Sequence, residues 1–193
     1  YLAHIERMLT LAGQGQPARK ARTILALETQ IAERHWPIAR RREVDQTYNL
    51  KTRAQVRALE RRFPWDAMFE GSELPEVQEI VVGELDAMGP LARLFLATPV
   101  SSWRDYLTFH YLSATAEVLP AALDAEDFAF FGHTLNGQPE QRERWRRSID
   151  AVNGALGEAI GEIYVQRHFP PTAKAEMLAL VETLRRAYGE RID

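Results

Sequence analysis

Five histidines are the side chains of this 193-residue sequence best suited to hold a metal or carry a proton near neutral pH: His4, His35, His110, His133 and His168. A helical zinc peptidase needs two histidines one turn apart with a glutamate between them, H-E-x-x-H. The imidazoles then meet one ion, and the carboxylate takes a proton from the metal-bound water. No two of the five stand four residues apart. His110 shares an apolar helical face with Trp103 and Tyr106 and reads as a hydrogen-bonded core histidine, while His133 and His168 lie near helix ends and read as surface residues. Carboxylates cluster at Asp124, Glu126 and Asp127, after Pro120, where acidic groups suit the start of a helix. Glu158 and Glu162 stand one turn apart on a polar face and read as solvated. No G-x-S-x-G elbow, P-loop or G-x-G-x-x-G is present, and with no Cys there is neither a thiolate nucleophile nor a disulfide. From this chemistry alone the chain offers no catalytic residue and no metal ligand, and its substrate-binding residues are unknown.

Arginines gather at Arg40–Arg42, Arg61–Arg62 and Arg142–Arg147, but each group sits among Asp or Glu in a chain of net charge −3. They read as solvated faces and intrachain ion pairs, not as a nucleic-acid surface. With 46% hydrophobic and 26% charged residues the composition is that of an ordinary globular domain. No apolar run approaches the roughly 18 residues of a membrane span. The sequence opens at Tyr1 without Met and reads as an excerpt or a processed product.

The elements that must carry these residues are helical. Apolar residues at Leu2, Ile5, Leu9 and Ala12 predict a first helix stopped at Gly13, and Ile24, Leu27 and Ile31 a second from about Ala18 to His35. Thr52 with Gln55 predicts a capping box. Leu74–Val82, with β-branched Ile80-Val81-Val82, is the one strand candidate, and Pro90 suits the first turn of a helix running to about Ala97. Ser102 and Asp105 predict the start of a helix with Trp103, Tyr106, Leu107, His110, Ala114 and Val118 inward; Phe128, Phe131 and Leu135 line another. The longest pattern lies between Glu140 and Phe169. Trp145, Ile149, Val152, Leu156, Ile160 and Ile163 form one stripe, and Gly154, Gly157 and Gly161 form another well away from it. Each mid-helix glycine costs about 1 kcal/mol relative to Ala, so three of them predict a central helix against which another backbone passes closely. Thr172 then caps a last helix with Met177, Val181, Leu184 and Tyr188 at helical spacing. The fold class expected is all-α: one helical domain over 1–193, of seven or eight helices, with at most one or two short strands.

Several motifs in order resemble the N-terminal region of the neprilysin family of zinc metalloendopeptidases, which includes endothelin-converting enzymes and bacterial oligopeptidases. They are Leu27-Glu28 with Ile31-Ala32 and Trp36-Pro37; Arg41-Arg42 followed by Tyr48-Asn49; Phe63, Trp65 and Phe69; Trp103-Arg104-Asp105-Tyr106-Leu107 with Phe109; and Phe128, Phe131-Gly132, Leu135 and Gly137. The run continues through Arg144-Trp145-Arg146, Ala155, Gly157, Gly161, Tyr164-Val165 and Phe169, with Lys174 beyond. The resemblance implies a helical lobe that faces a thermolysin-like catalytic lobe and encloses a cavity for peptides and small proteins. It implies zinc in the full-length enzyme, with the ligands and catalytic Glu C-terminal to this stretch and none bound by the stretch itself. The implied partners are the C-terminal catalytic domain of the same polypeptide and peptide substrates, with no nucleic acid, and an extracytoplasmic location is favoured. Many members carry Cys where Ser148 stands, so that disulfide is absent here. The other class compatible with the residues is a stand-alone, non-enzymatic helical binding or scaffold module.

Overall fold

Helices take up most of the chain, as its apolar periodicity predicts. The structure is a computed structural model describing residues 1–192, and it divides into two compact units, a first over Tyr1–Pro139 and a second from Glu140 onward. The first unit holds α1 (Leu2–Leu11), α2 (Pro17–Ala32), α3 (Ile38–Arg41), α4 (Val44–Thr47), β1 (Leu50–Thr52), α5 (Arg53–Leu59), α6 (Trp65–Gly71) and β2 (Glu79–Val81). It continues with α7 (Leu85–Ala97), α8 (Val100–Ala114), a 3-10 turn (Ala116–Val118), α9 (Ala121–Asp127) and a π-helical segment (Phe128–Leu135). The second unit holds α10 (Arg144–His168) and α11 (Pro171–Ile192). Among the described residues nine α-helices reach seven residues or more, beside one two-stranded sheet, so the molecule is mostly helical.

Two apolar cores lie in the first unit. His4, Ile5, Met8 and Leu9 put one face of α1 inward, and Gly13, at φ +69°, turns the chain back into α2. Ala21 and Ile24 of α2, Phe109 of α8, Ala116 and Leu123 complete that core, with α1 packed on α2, α8 and α9. The second core joins Val56, Trp65, Phe69, Val82 and Ala92, with Leu59, Phe63, Ile80, Leu85 and Met88 around them. The Thr52 hydroxyl accepts from the Gln55 N–H and the Gln55 side chain accepts from the Thr52 N–H, so the predicted capping box opens α5.

Four local expectations need correction. The strand candidate narrows to β2, and its partner is β1, antiparallel, with Leu50 opposite Val81 and Thr52 opposite Glu79. Pro90 does not start α7 but sits inside it, because the helix begins at Leu85. α8 begins two residues ahead of Ser102, after Pro99, and its buried residue is Phe109; Leu107, Ala114 and Val118, expected inward, are exposed. α11 begins at Pro171, so Thr172 lies within its first turn and does not cap it.

The second unit departs most from expectation. α10 spans the predicted helix, but none of its residues is buried, and Trp145, Ile149, Val152, Leu156, Ile160 and Ile163 are each 41–57% exposed. A Cβ built on Gly154, Gly157 or Gly161 meets nothing within 4 Å. Among the described residues of the second unit no other backbone passes the glycine stripe, and within that unit α10 is not enclosed on two sides. Met177, Val181, Leu184 and Tyr188 on α11 are likewise exposed.

Candidate functional site

Each histidine of the first unit's interior and clefts meets a carboxylate. At the end of α2, His35 Nδ1 lies 3.1 Å from Glu84 Oε2, and the same oxygen accepts the Trp36 N–H at 2.7 Å. Arg41 Nε stands 2.9 Å from the other Glu84 oxygen. Burial alone would raise the Glu84 pKa, but the Trp36 N–H, His35 and Arg41 outweigh it and hold the carboxyl below its usual range. The Trp36 indole N–H donates to Asp86, and this bond, with Arg40 beside it, lowers that carboxyl as well. Midway along α2, Glu28 Oε1 accepts from the Tyr1 hydroxyl and pairs with His110 Nε2, each at 2.8 Å. Burial and the adjacent Glu28 raise the Tyr1 phenol above its ordinary value.

Of these groups Glu28, His35, Trp36, Arg41 and His110 line a cleft of about 400 Å³, together with Ile31. Ile31 also lines a second cavity of about 220 Å³ walled by Phe63, Trp65, Met88, Phe95 and Trp103. The rings form a continuous series, Phe63 to Trp65 at 4.5 Å, Phe63 to Phe95 at 5.2 Å and Phe95 to Trp103 at 5.3 Å between centroids. The pair of cavities can seat an apolar side chain beside a polar or charged one. Each imidazole is held to one carboxylate through a single ring nitrogen, His35 through Nδ1 to Glu84 and His110 through Nε2 to Glu28. His110 is therefore not the core histidine expected: its side chain is 42% exposed and faces the cleft.

The core histidine is His4. Its side chain is fully buried, stacked on Phe130 at 4.6 Å between centroids and met edge-on by Phe109 and Phe131. His4 Nδ1 lies 3.0 Å from Glu126 Oε1, and Arg7 Nε lies 2.8 Å from Glu126 Oε2. Burial lowers the His4 pKa despite Glu126. Burial also opposes ionisation of Glu126, but Arg7 and His4 outweigh it and keep that carboxyl below its usual range. The imidazole is thus neutral at pH 7, with Nδ1–H donating to a carboxylate. Asp124 lies in the first turn of α9, as expected after Pro120, whereas Glu126 and Asp127 stand in its last turn and act as side-chain acceptors; Asp127 accepts from the Ser113 hydroxyl at 2.7 Å. The spacing of His4 with Ile5, Met8 and Leu9 on one helical face was the available signal for its burial.

His133 and His168 are exposed, as are Glu158 and Glu162. The arginine clusters form intrachain pairs: Arg40 with Asp86, Arg41 with Glu84, Arg142 with Asp150 and Arg146 with Glu143. Among the described residues no group of three or more His, Asp or Glu could hold a metal ion. The histidine–carboxylate pairs are separate two-membered sets, and they do not fit a zinc site.

Comparison with known proteins defines the class. The model of the N-terminal part of Peptidase family M13 matches residues 1–193, and the chain belongs to that family, the family of neprilysin and the endothelin-converting enzymes. Among relatives, endothelin-converting enzyme-like 1 of Homo sapiens is 27% identical over 201 residues, covering 100% of this chain and 25% of the relative. Neprilysin-2 of Drosophila melanogaster is 24% identical over 211 residues, covering 100% of this chain and 27% of the relative. The zinc metalloprotease Zmp1 of Mycobacterium tuberculosis, in its open state, superposes with a TM-score of 0.84 at 38% identity over 97% of this chain and 30% of its own. The inhibitor complex of the same enzyme gives 0.80 at 37% identity, over 97% of this chain and 29% of its own. The chain therefore spans about a quarter of the length of the curated relatives it matches. No helix among the described residues is long and apolar enough to cross a membrane.

Proposed function

We propose that this chain is the N-terminal helical part of a neprilysin-like zinc endopeptidase acting on peptides and small proteins. It walls the substrate cavity and limits substrate size, and its partner is the C-terminal catalytic domain of the same polypeptide. The observation that carries this reading is the family match along the whole chain, at about a quarter of the relatives' length. The lack of any three-membered ligand set among the described residues agrees with zinc ligands supplied from elsewhere in the polypeptide. That same lack also favours a second reading, a stand-alone helical scaffold. The remaining sequence of the gene separates the two: an H-E-x-x-H with a later Glu ligand supports the peptidase, and its absence supports the scaffold. In solution, the 193-residue chain alone should retain no stoichiometric zinc after dialysis and cleave no peptide, whereas the complete polypeptide should do both and lose activity to a chelator. Chelator-sensitive cleavage by the 193 residues alone, or none by the complete polypeptide, overturns it. An extracytoplasmic location belongs to the same proposal, tested by cell fractionation.

A further inference from the structure

The sheet of the first unit has two strands and therefore two edges. The Arg53 N–H donates to the Gln78 carbonyl and the Val82 N–H to the Asn49 carbonyl. Hydrogen-bonded pairs alternate along an antiparallel ladder, so in this register Glu79 and Val81 turn their N–H and C=O groups away from β1. Among the described residues nothing donates to or accepts from those four groups. The edge of β1 is less open, because the Gln55 side chain already takes the Thr52 N–H. Glu79 and Val81 also share the outer face of the sheet and are exposed there, while Ile80 turns toward the second core. The segment leading into β2 is acidic. Glu70, Glu73, Glu76 and Glu79 are all exposed, and among the described residues none of the four pairs with Arg, Lys or His. Arg53 and Arg57, the cations of the adjoining pocket, both turn to Asp66. This charge selects the occupant of the edge. A second copy centred on Ile80 would set its Glu79 opposite Val81, and one centred on Glu79 would oppose like charges; neither brings a cation to the carboxylates. A strand with Arg or Lys opposite Glu79 does.

We infer that the outer edge of β2 binds an extended basic peptide segment of another chain as a third, antiparallel strand, with an apolar side chain opposite Val81 and Arg or Lys opposite Glu79. In N-to-C order the segment reads apolar-x-basic, and further basic residues run on beside Glu76 and Glu73. The surface lies wholly within the first unit, and the inference does not depend on the peptidase reading. The probe is acetyl-Thr-Val-Thr-Arg-Thr-Arg-amide, titrated into the complete polypeptide of the gene with chelator present. Binding is expected below about 1 mM peptide. Glu79→Lys should weaken it about fivefold, and replacing the first Arg of the peptide by Glu should restore it in that variant. Methyl groups on the backbone nitrogens of the Val and the first Arg, which face β2, should abolish binding. Methyl groups on the Thr nitrogens either side of that Arg, which face away, should leave it intact. In hydrogen exchange, the amides of Glu79 and Val81 should be protected only with the peptide bound. Equal binding of the two methylated peptides overturns the inference, because charge attraction alone would then account for it. So does the absence of binding at about 1 mM. Protection of Glu79 and Val81 in the free polypeptide overturns it too, whether a strand of the same polypeptide or a second copy provides it; dependence of that protection on protein concentration identifies the second copy.

Discussion

His4 has the most exacting surroundings of any residue here. Its ring is enclosed by Tyr1, Phe109, Phe130 and Phe131, its Nδ1 faces Glu126, and its Nε2 is buried with no hydrogen-bond partner among the described residues. A neutral imidazole leaves only a lone pair at Nε2, whereas protonation would place an N–H donor there with nothing to accept it. The charged groups around it are Arg7 on its own helix, which repels the imidazolium, and Glu126 and Asp127 on α9, which attract it; burial prevails and depresses the pKa. A histidine with a depressed folded-state pKa contributes stability that is complete above its unfolded value near 6.5 and is lost as pH falls below it toward the folded value. Glu126, with its carboxyl also depressed, adds a second loss at more acid pH. Denaturant melts should therefore show stability declining below pH 6.5, by up to about 1.4 kcal/mol per pH unit while the window lasts. His4→Phe, which keeps the ring contacts and removes the titrating group, should flatten that decline. A pH profile of His4→Phe parallel to that of the unaltered chain would assign the decline to other groups. At Thr52 the expectation is simpler: Thr52→Ala removes the hydroxyl that caps α5 and should cost about 1 kcal/mol in the same melts.

Elements were legible wherever their signal is local. The capping box of α5 needs only Thr52 and Gln55, and the stop of α1 needs only Gly13 at positive φ. β1 was invisible because Leu50-Lys51-Thr52 is too short to show alternation; only its pairing with β2 makes it a strand. Pro90 misled because it sits in the sixth position of α7, where proline is normally excluded. In the candidate site, the helical position of His110 was legible, whereas His35, expected to close the second helix, stands beyond the end of α2 at Ala32. Their carboxylates, Glu84 and Glu28, lie 49 and 82 residues away in sequence and could not be paired without the fold. α10 shows the opposite limit: its stripe is plain in the sequence, but a stripe does not say whether the covering surface lies within the chain. With open space at Gly157, the close-approach penalty has no atoms to act through among the described residues. Gly157→Ala should stabilise the chain by up to about 1 kcal/mol, and Gly157→Leu should be neutral or stabilising, since both are better helix formers than Gly. A destabilisation of about 1–3 kcal/mol for Gly157→Leu, the range for overpacking a filled core, would restore the central helix that the sequence suggested.

At the scale of the whole molecule, both apolar cores are built from residues before Pro139, and none of the described residues from Glu140 onward is buried. Stability and helix content are therefore divided differently along the chain. The first unit holds the buried aromatic and aliphatic residues that give a cooperative transition, among them Phe69, Phe109, Ile5 and Leu9. The second contributes two of the longest helices, 25 and 22 residues, with exposed apolar faces. A chain cut after Pro139 should lose helical ellipticity in proportion to α10 and α11 yet keep its melting midpoint, because no core residue is removed. Truncating the first core from inside should do the reverse. Phe109→Ala leaves every helix in place but should cost about 3–5 kcal/mol, the usual loss for a buried phenylalanine. At a few degrees per kcal/mol for a domain of this size, the midpoint should fall by about 10 °C or more. Thermal melts of the two variants beside the unaltered chain measure both effects. A large drop in midpoint on removing 140–193 would mean that α10 and α11 contribute to the core of the isolated chain, and their apolar stripes would then need no cover from outside it.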